Sequence, residues 1–116
     1  MATDKVSQLI SSNAVQVFTK PYCGFCRRVR QLLKELRAEF KTYDLEWEPD
    51  GREMQKALAE LTGRSTVPNV FIGGKNVGGC DEITSLHEAG KLVPMLTESG
   101  ALPEVVAEAQ GLPISA

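Results

Sequence analysis

The sequence predicts an α/β domain built around a small mixed β-sheet, and three features carry that prediction. Residues 15–19 form a short β-branched and aromatic run that reads as a buried strand, and it leads through Pro21 into an apolar repeat of helical spacing. Residues 70–72 and 75–77 are two further strand candidates, separated by Gly73-Gly74, a two-residue hairpin signal because both positions tolerate positive φ. Helix-period segments stand between and after these strands, the alternation expected of layered α/β structure.

Taken in order, Asp4 is placed to cap a short amphipathic helix carrying Val6, Leu9 and Ile10. After the first strand, Phe25, Val29, Leu32, Leu33, Leu36 and Phe40 recur at helical spacing and predict a helix over 24–39. Residues 40–45 are the second strand. Met54, Ala57, Leu58 and Leu61 share one face of a helix over 53–61, which Gly63 closes. Asp81 reads as the cap of a helix reaching about residue 88. Pro94, Pro103 and Pro113 punctuate the remainder, where 104–110 reads as a last helix. A parallel βαβ pair followed by an antiparallel hairpin is the layout of a thioredoxin-like fold, a four-stranded mixed sheet flanked by helices. With 116 residues, 42% of them hydrophobic, the chain is sized for a single domain, its core at about 5–98 and a helical tail over 99–116.

Net charge is only −2, which gives no case for nucleic acid or an acidic membrane surface as a partner. Locally the balance is different. Lys20, Arg27, Arg28, Arg30, Lys34 and Arg37 face only Glu35 between residues 20 and 37, a basic island of +5, so the rest of the chain carries −7. Three cysteines are too few for a secreted disulfide framework and favour a reducing compartment, the cytoplasm or a reducing organelle reached with a transit peptide since removed. The first twenty residues lack a signal-peptide pattern, and no apolar run approaches the roughly 18 to 20 residues of a membrane span.

The chemistry concentrates at Cys23-Gly24-Phe25-Cys26, where the first strand gives way to a helix. In a helix's first turn, unpaired backbone N–H groups and the positive end of the helix dipole stabilise a thiolate, and Lys20 and Arg27 add positive charge. Cys23 is therefore the expected nucleophile. Cys26, one turn in, can attack a mixed disulfide on Cys23 but is less exposed. The competing reading is a zinc knuckle. Zinc needs four ligands, and only Cys80 and His87 stand elsewhere in the chain.

Two further segments look built for a ligand. In Thr66-Val67-Pro68, a cis bond at Pro68 would turn the backbone of Val67 outward, free to pair with an extended peptide; the plain alternative is a loop proline ahead of a strand. In Gly78-Gly79-Cys80-Asp81, the glycines permit close approach to the backbone and the following helix offers N–H groups to a carboxylate, while Asp81 can accept from an amine or serve only as the cap. Glutathione, with a carboxylate at each end, an α-amino group, a central thiol and an extended backbone, is complementary to this set. Lys20 suits its glycine carboxylate, Val67 its central backbone, and the Cys80-Asp81 corner its γ-glutamyl end.

Lys20-Pro21-Tyr22-Cys23-x-x-Cys26, Leu61-Thr62-Gly63, Thr66-Val67-Pro68 and Gly78-Gly79-Cys80-Asp81, in this order, resemble a class I dithiol glutaredoxin over roughly residues 5–98. The resemblance implies a thioredoxin fold, a cis Pro68, catalysis by Cys23 and Cys26, and a glutathione site made by Lys20, Cys23, Phe25, Gln55, Thr66, Val67, Pro68, Gly79, Cys80 and Asp81. It also implies protein partners that are glutathionylated or carry disulfides. Gln55 enters through the resemblance alone. Cys80 is either an auxiliary thiol, itself glutathionylated or oxidised, or a small buried hydrophobe. Trp47 is expected to pack near the end of the second strand, Met54 and Met95 to fill the core, and His87 to be an exposed helix residue.

The resemblance departs from the commonest family motif, which has Pro and Tyr between the cysteines; Gly24 and Phe25 stand here instead. Through Phe25 the segment resembles the Cys-Gly-Phe-Ser motif of monothiol iron-sulfur carriers, but Lys20 lies only three residues before Cys23 and Thr66-Val67-Pro68 lacks the carriers' tryptophan. Thioredoxin is disfavoured because its Trp-Cys-Gly-Pro-Cys motif is absent. Gly24 nevertheless supports an alternative reading in which a [2Fe-2S] cluster is held between two protomers by two Cys23 thiolates and two glutathione thiols. The chain is otherwise expected to be a monomer.

Overall fold

The computed structural model describes residues 2–102. Its elements are α1 (Ala2–Ser12), β1 (Val15–Thr19), α2 (Gly24–Glu35), β2 (Lys41–Asp44), α3 (Gly51–Thr62), β3 (Asn69–Ile72), β4 (Lys75–Gly78), α4 (Cys80–Glu88) and α5 (Leu92–Ser99). The strands form one sheet in the order β2-β1-β3-β4, with β1 and β2 parallel and both pairs involving β3 antiparallel. Gly73 and Gly74 turn the β3–β4 hairpin at φ 59° and 82°, the pair of positive values that a tight two-residue connection needs. This is the thioredoxin-like fold that the element order predicts.

β1 lies between two other strands and is covered on both faces, so all five of its residues are buried. Its side chains alternate between two cores. Val15 and Val17 join Val29, Leu33, Ile83, Leu92 and Leu96 beneath α2, α4 and α5. Phe18 joins Val6, Ile10, Met54, Leu58 and Phe71 beneath α1 and α3, and its ring meets that of Phe71 edge-on with centroids 5.9 Å apart. Burying each of these large side chains stabilises the fold by roughly 1.5–3 kcal/mol. Layers on both sides hold the C-terminal end of β1 still, and that end carries the candidate nucleophile.

Tertiary structure moved several helix boundaries. Asp4 sits within the first turn of α1 rather than capping it. α2 stops at Glu35, four residues before the predicted end, although Leu36 and Phe40 continue the apolar repeat. Arg37 adopts φ 61°, its N–H donates to the Lys34 carbonyl, and the Ala38 N–H donates to the Leu33 carbonyl, the paired bonds that close a helix with a left-handed residue. Glycine is the usual residue in that conformation because a Cβ is strained there. Arg37→Gly is therefore expected to raise unfolding stability by about 1 kcal/mol in urea titration.

Leu61 is exposed in the last turn of α3, although its spacing puts it on the face of Met54, Ala57 and Leu58. Trp47 does not pack as expected and is 73% exposed, because the Asp44 carboxylate accepts from the Glu46 and Trp47 N–H groups and turns the chain outward after β2. α5 was hidden by Pro94, which lies in its first turn, where the missing N–H costs nothing. Met54 is fully buried, Met95 packs against the core and His87 is exposed. The helix predicted over 104–110 lies outside the described residues.

Candidate active site

The site forms where three chain segments meet: the β1–α2 turn, the α3–β3 loop and the start of α4. Cys23 is the N-cap of α2. Its N–H closes a turn on the Lys20 carbonyl at 3.3 Å, and its Sγ accepts from the Cys26 N–H at 3.1 Å, taking the part a serine or aspartate oxygen plays at other helix starts. Sulfur accessibility separates the two thiols. Cys23 is half-buried and Cys26 fully buried.

Burial first, and the hydrogen bond to Cys23 second, push the Cys26 thiol up to about 12. Cys26 thus keeps its proton at neutral pH. Because the raised value favours the protonated folded form, its contribution to stability is complete below the ordinary thiol value of 9.0 and is lost as pH rises toward about 12. Unfolding stability should fall across this window by up to about 1.4 kcal/mol per pH unit, and Cys26→Ser should flatten that part of the slope, as urea titrations at pH 8 and pH 10 would measure.

Val67 faces the nucleophile from the neighbouring loop. The Val67–Pro68 bond is cis, and the Val67 carbonyl accepts from the Cys23 thiol at 3.6 Å. A cavity of about 300 Å³ opens beside them, lined by Phe25, Arg64, Thr66, Val67, Pro68, Cys80, Asp81 and Glu82. Its volume is at the lower end for small-molecule sites. A larger groove, about 560 Å³, lies beside residues 12–15 and 38–41, at the other end of β1, and no cysteine lines it.

Six of the residues expected at the site line this cavity: Phe25, Thr66, Val67, Pro68, Cys80 and Asp81. Lys20, Cys23, Gln55 and Gly79 do not. Gln55 instead donates to the Ser65 carbonyl at 2.8 Å, which ties α3 to the loop bearing Thr66 and Val67. Lys20 is half-buried, and among the described residues nothing forms an ion pair with it. Gly79, not Asp81, is the N-cap of α4, and Asp81 lies exposed in its first turn. A Cβ at Gly79 would stand 2.8 Å from Arg64 Nη1 and 3.1 Å from the Pro68 carbonyl, so a side chain there would have to displace the end of Arg64 and crowd that carbonyl. Cys80 is half-buried with its sulfur 3.9 Å from Thr84 Oγ1.

Sequence reasoning missed Arg64 and Glu82. Glu82 left a signal, since a glutamate three residues after an N-cap commonly reaches back to the cap N–H. Arg64 left none. Among the described residues no group of three or more His, Cys, Asp or Glu could hold a metal ion.

Comparison with known proteins places this arrangement. The family model described as Glutaredoxin matches residues 15–77, which include Cys23, Cys26 and the Thr66-Val67-Pro68 loop. This chain is a member of the glutaredoxin family. It is 56% identical to a glutaredoxin of Vernicia fordii over 102 residues, 88% of this chain and 98% of the relative. It is 53% identical to the rice protein glutaredoxin-C4, chloroplastic, over 88% of this chain and 77% of that one. The crystal structure of a buckwheat glutaredoxin-glutathione complex superposes with a TM-score of 0.87 at 54% identity, covering 88% of this glutaredoxin and 93% of the buckwheat chain. Among the described residues no helix is long and apolar enough to cross a membrane.

Proposed function

We propose that this glutaredoxin reduces protein-glutathione mixed disulfides and protein disulfides at the expense of glutathione. The observation that carries the reading is the position of Cys23. It is an N-cap sulfur that accepts a backbone N–H and lies 3.6 Å from the carbonyl of Val67, a residue that lines a cavity of about 300 Å³. A glutathione complex of the buckwheat relative supports the choice of ligand.

In the first step the Cys23 thiolate attacks the glutathione sulfur of the mixed disulfide, the sulfur–sulfur bond breaks, and the target protein leaves as its thiolate. Cys23 is now glutathionylated. A second glutathione thiolate then attacks the bound glutathione sulfur, releasing oxidised glutathione and returning Cys23 as thiolate. On a protein disulfide, Cys26 instead gives up its proton and attacks Cys23 in the mixed disulfide with the target. The Val67 backbone holds the tripeptide extended, Phe25 and Thr66 flank it, and the γ-glutamyl end meets the Cys80-Asp81 corner. There the first N–H groups of α4 donate to its carboxylate, and the Asp81 carboxylate accepts from its ammonium. Lys20 takes the glycine carboxylate, with Gln55 beside the loop. Purified protein should reduce a glutathionylated peptide only when glutathione is supplied. Reduction at the same rate with a thiol lacking both glutathione carboxylates would reject the reading. A reducing compartment suits this chemistry, and the chloroplastic rice relative makes an organelle as fitting as the cytoplasm.

The second reading is a glutathione-ligated [2Fe-2S] cluster bridging two chains, and one observation favours it. A Cβ at Gly24 would meet nothing within 4 Å, so the surface beside Cys23 is open where a second protomer must approach. Cys23 would be this chain's ligand, and the cluster would supply iron–thiolate coordination. Anaerobic reconstitution with iron, sulfide and glutathione should then give a coloured dimer by absorption and size measurement. A colourless monomer would exclude it.

A further inference from the structure

Two charged residues on the cavity rim, Arg64 and Glu82, are used by none of these steps. Arg64 lies in the loop before Thr66 and Val67, and Glu82 in the first turn of α4. Glu82 Oε1 accepts from the Gly79 N–H at 2.6 Å and from Arg64 Nη2 at 2.6 Å, while Arg64 Nη1 donates to Thr66 Oγ1 at 3.5 Å. Gly78 and Gly79 form the floor under this bridge. A Cβ on Gly78, at φ +104°, would stand 2.6 Å from Glu82 Oε1, and one on Gly79 would stand 2.8 Å from Arg64 Nη1. The pair therefore lies flat on the glycine backbone and joins the two walls between which the cavity opens. With side chains 33% and 44% exposed, it contributes little to folding.

We propose that Arg64 and Glu82 are a positioning pair that sets the spacing between the Val67 ledge and the Cys80-Asp81 corner, and so selects substrates bearing a γ-glutamyl group. The inference rests on the glutathione reading above. Glu82 neutralises Arg64 and occupies the Gly79 N–H, which leaves the donors of Cys80 and Asp81 as the receptor for the ligand's α-carboxylate. Without Glu82, the Arg64 guanidinium competes with α4 for that carboxylate. Without Arg64, the ledge loop loses its tether to α4.

The test is a double-mutant cycle with Arg64→Gln and Glu82→Gln, using one peptide carrying a mixed disulfide with either glutathione or cysteinylglycine, which lacks the γ-glutamyl group. Each single substitution should raise KM for the glutathionylated peptide about fivefold with kcat little changed, and the double substitution should do no more than the worse single. KM for the cysteinylglycine adduct should not move, and Arg64→Lys should restore part of the loss. Additive effects, equal changes on both substrates, or an unchanged KM would overturn the pair's role. A wild-type protein that does not distinguish the two adducts would instead overturn the glutathione reading, and this inference with it.

Discussion

Cys23→Ser is expected to lower turnover of a glutathionylated peptide by at least about a thousandfold, while Cys26→Ser stays within about twofold of the wild type. The asymmetry follows from where the two sulfurs sit. Cys23 is the accessible N-cap, held by the Cys26 N–H, and a serine oxygen there keeps the hydrogen bond but has no thiolate to give. Cys26 is buried and its thiol is pushed up to about 12, so a second glutathione resolves the mixed disulfide without it. Cys26→Ser should nevertheless lose reduction of protein disulfides, which needs the second thiol in the same chain. Both variants are to be assayed on both substrate types. Deglutathionylation that survives Cys23→Ser would remove Cys23 as nucleophile.

Gly51→Ala is expected to destabilise the fold by about 3 kcal/mol or more, far beyond what alanine costs at most helix starts. A Cβ at Gly51 would stand 1.7 Å from the Leu45 carbonyl oxygen and 2.6 Å from its carbon. Neither can retreat freely. The Leu45 N–H is bonded to the Thr19 carbonyl at the end of the β1–β2 pair, its side chain lies in the core, and the Gly51 N–H is bonded to the Glu48 carbonyl. Nearby, Asp50 is fixed by Lys5 Nζ at 2.8 Å and by the Tyr43 hydroxyl, which binds the start of α3 to α1 and β2. Thermal unfolding should show a drop in Tm of roughly 10–20 °C. A drop of only a few degrees would mean that α3 can shift away from β2.

Much of the site was legible before any coordinates. A strand running into a helix that begins with Cys-x-x-Cys places one thiol at the helix start whatever the tertiary details, and Cys23 is found there. The proline after Val67 and the two glycines before Cys80 likewise mark backbone that deviates for a reason, and the cavity opens between them. Lys20 and Gln55 rest on ligand complementarity and on resemblance, and no local pattern says that neither would line the cavity.

By itself, the sequence determined the strands, the direction of each connection, and the place of Cys23 at a helix start with Cys26 buried one turn on. These depend on residues close in the chain: β-branched runs, apolar periods, Gly-Gly at a hairpin, cysteines three apart. Only the tertiary structure decided where α2 ends, since the apolar repeat runs on through Leu36 and Phe40 while the chain must turn at Arg37 to bring Ala38 into the core. It also decided that Trp47 and Leu61 face outward and that Pro94 opens a helix. The pairing of Arg64 with Glu82, 18 residues apart, and the contact of Gly51 with Leu45 arise the same way. Such contacts are set by how separate elements pack, and packing distances leave no period in the chain for a sequence to display.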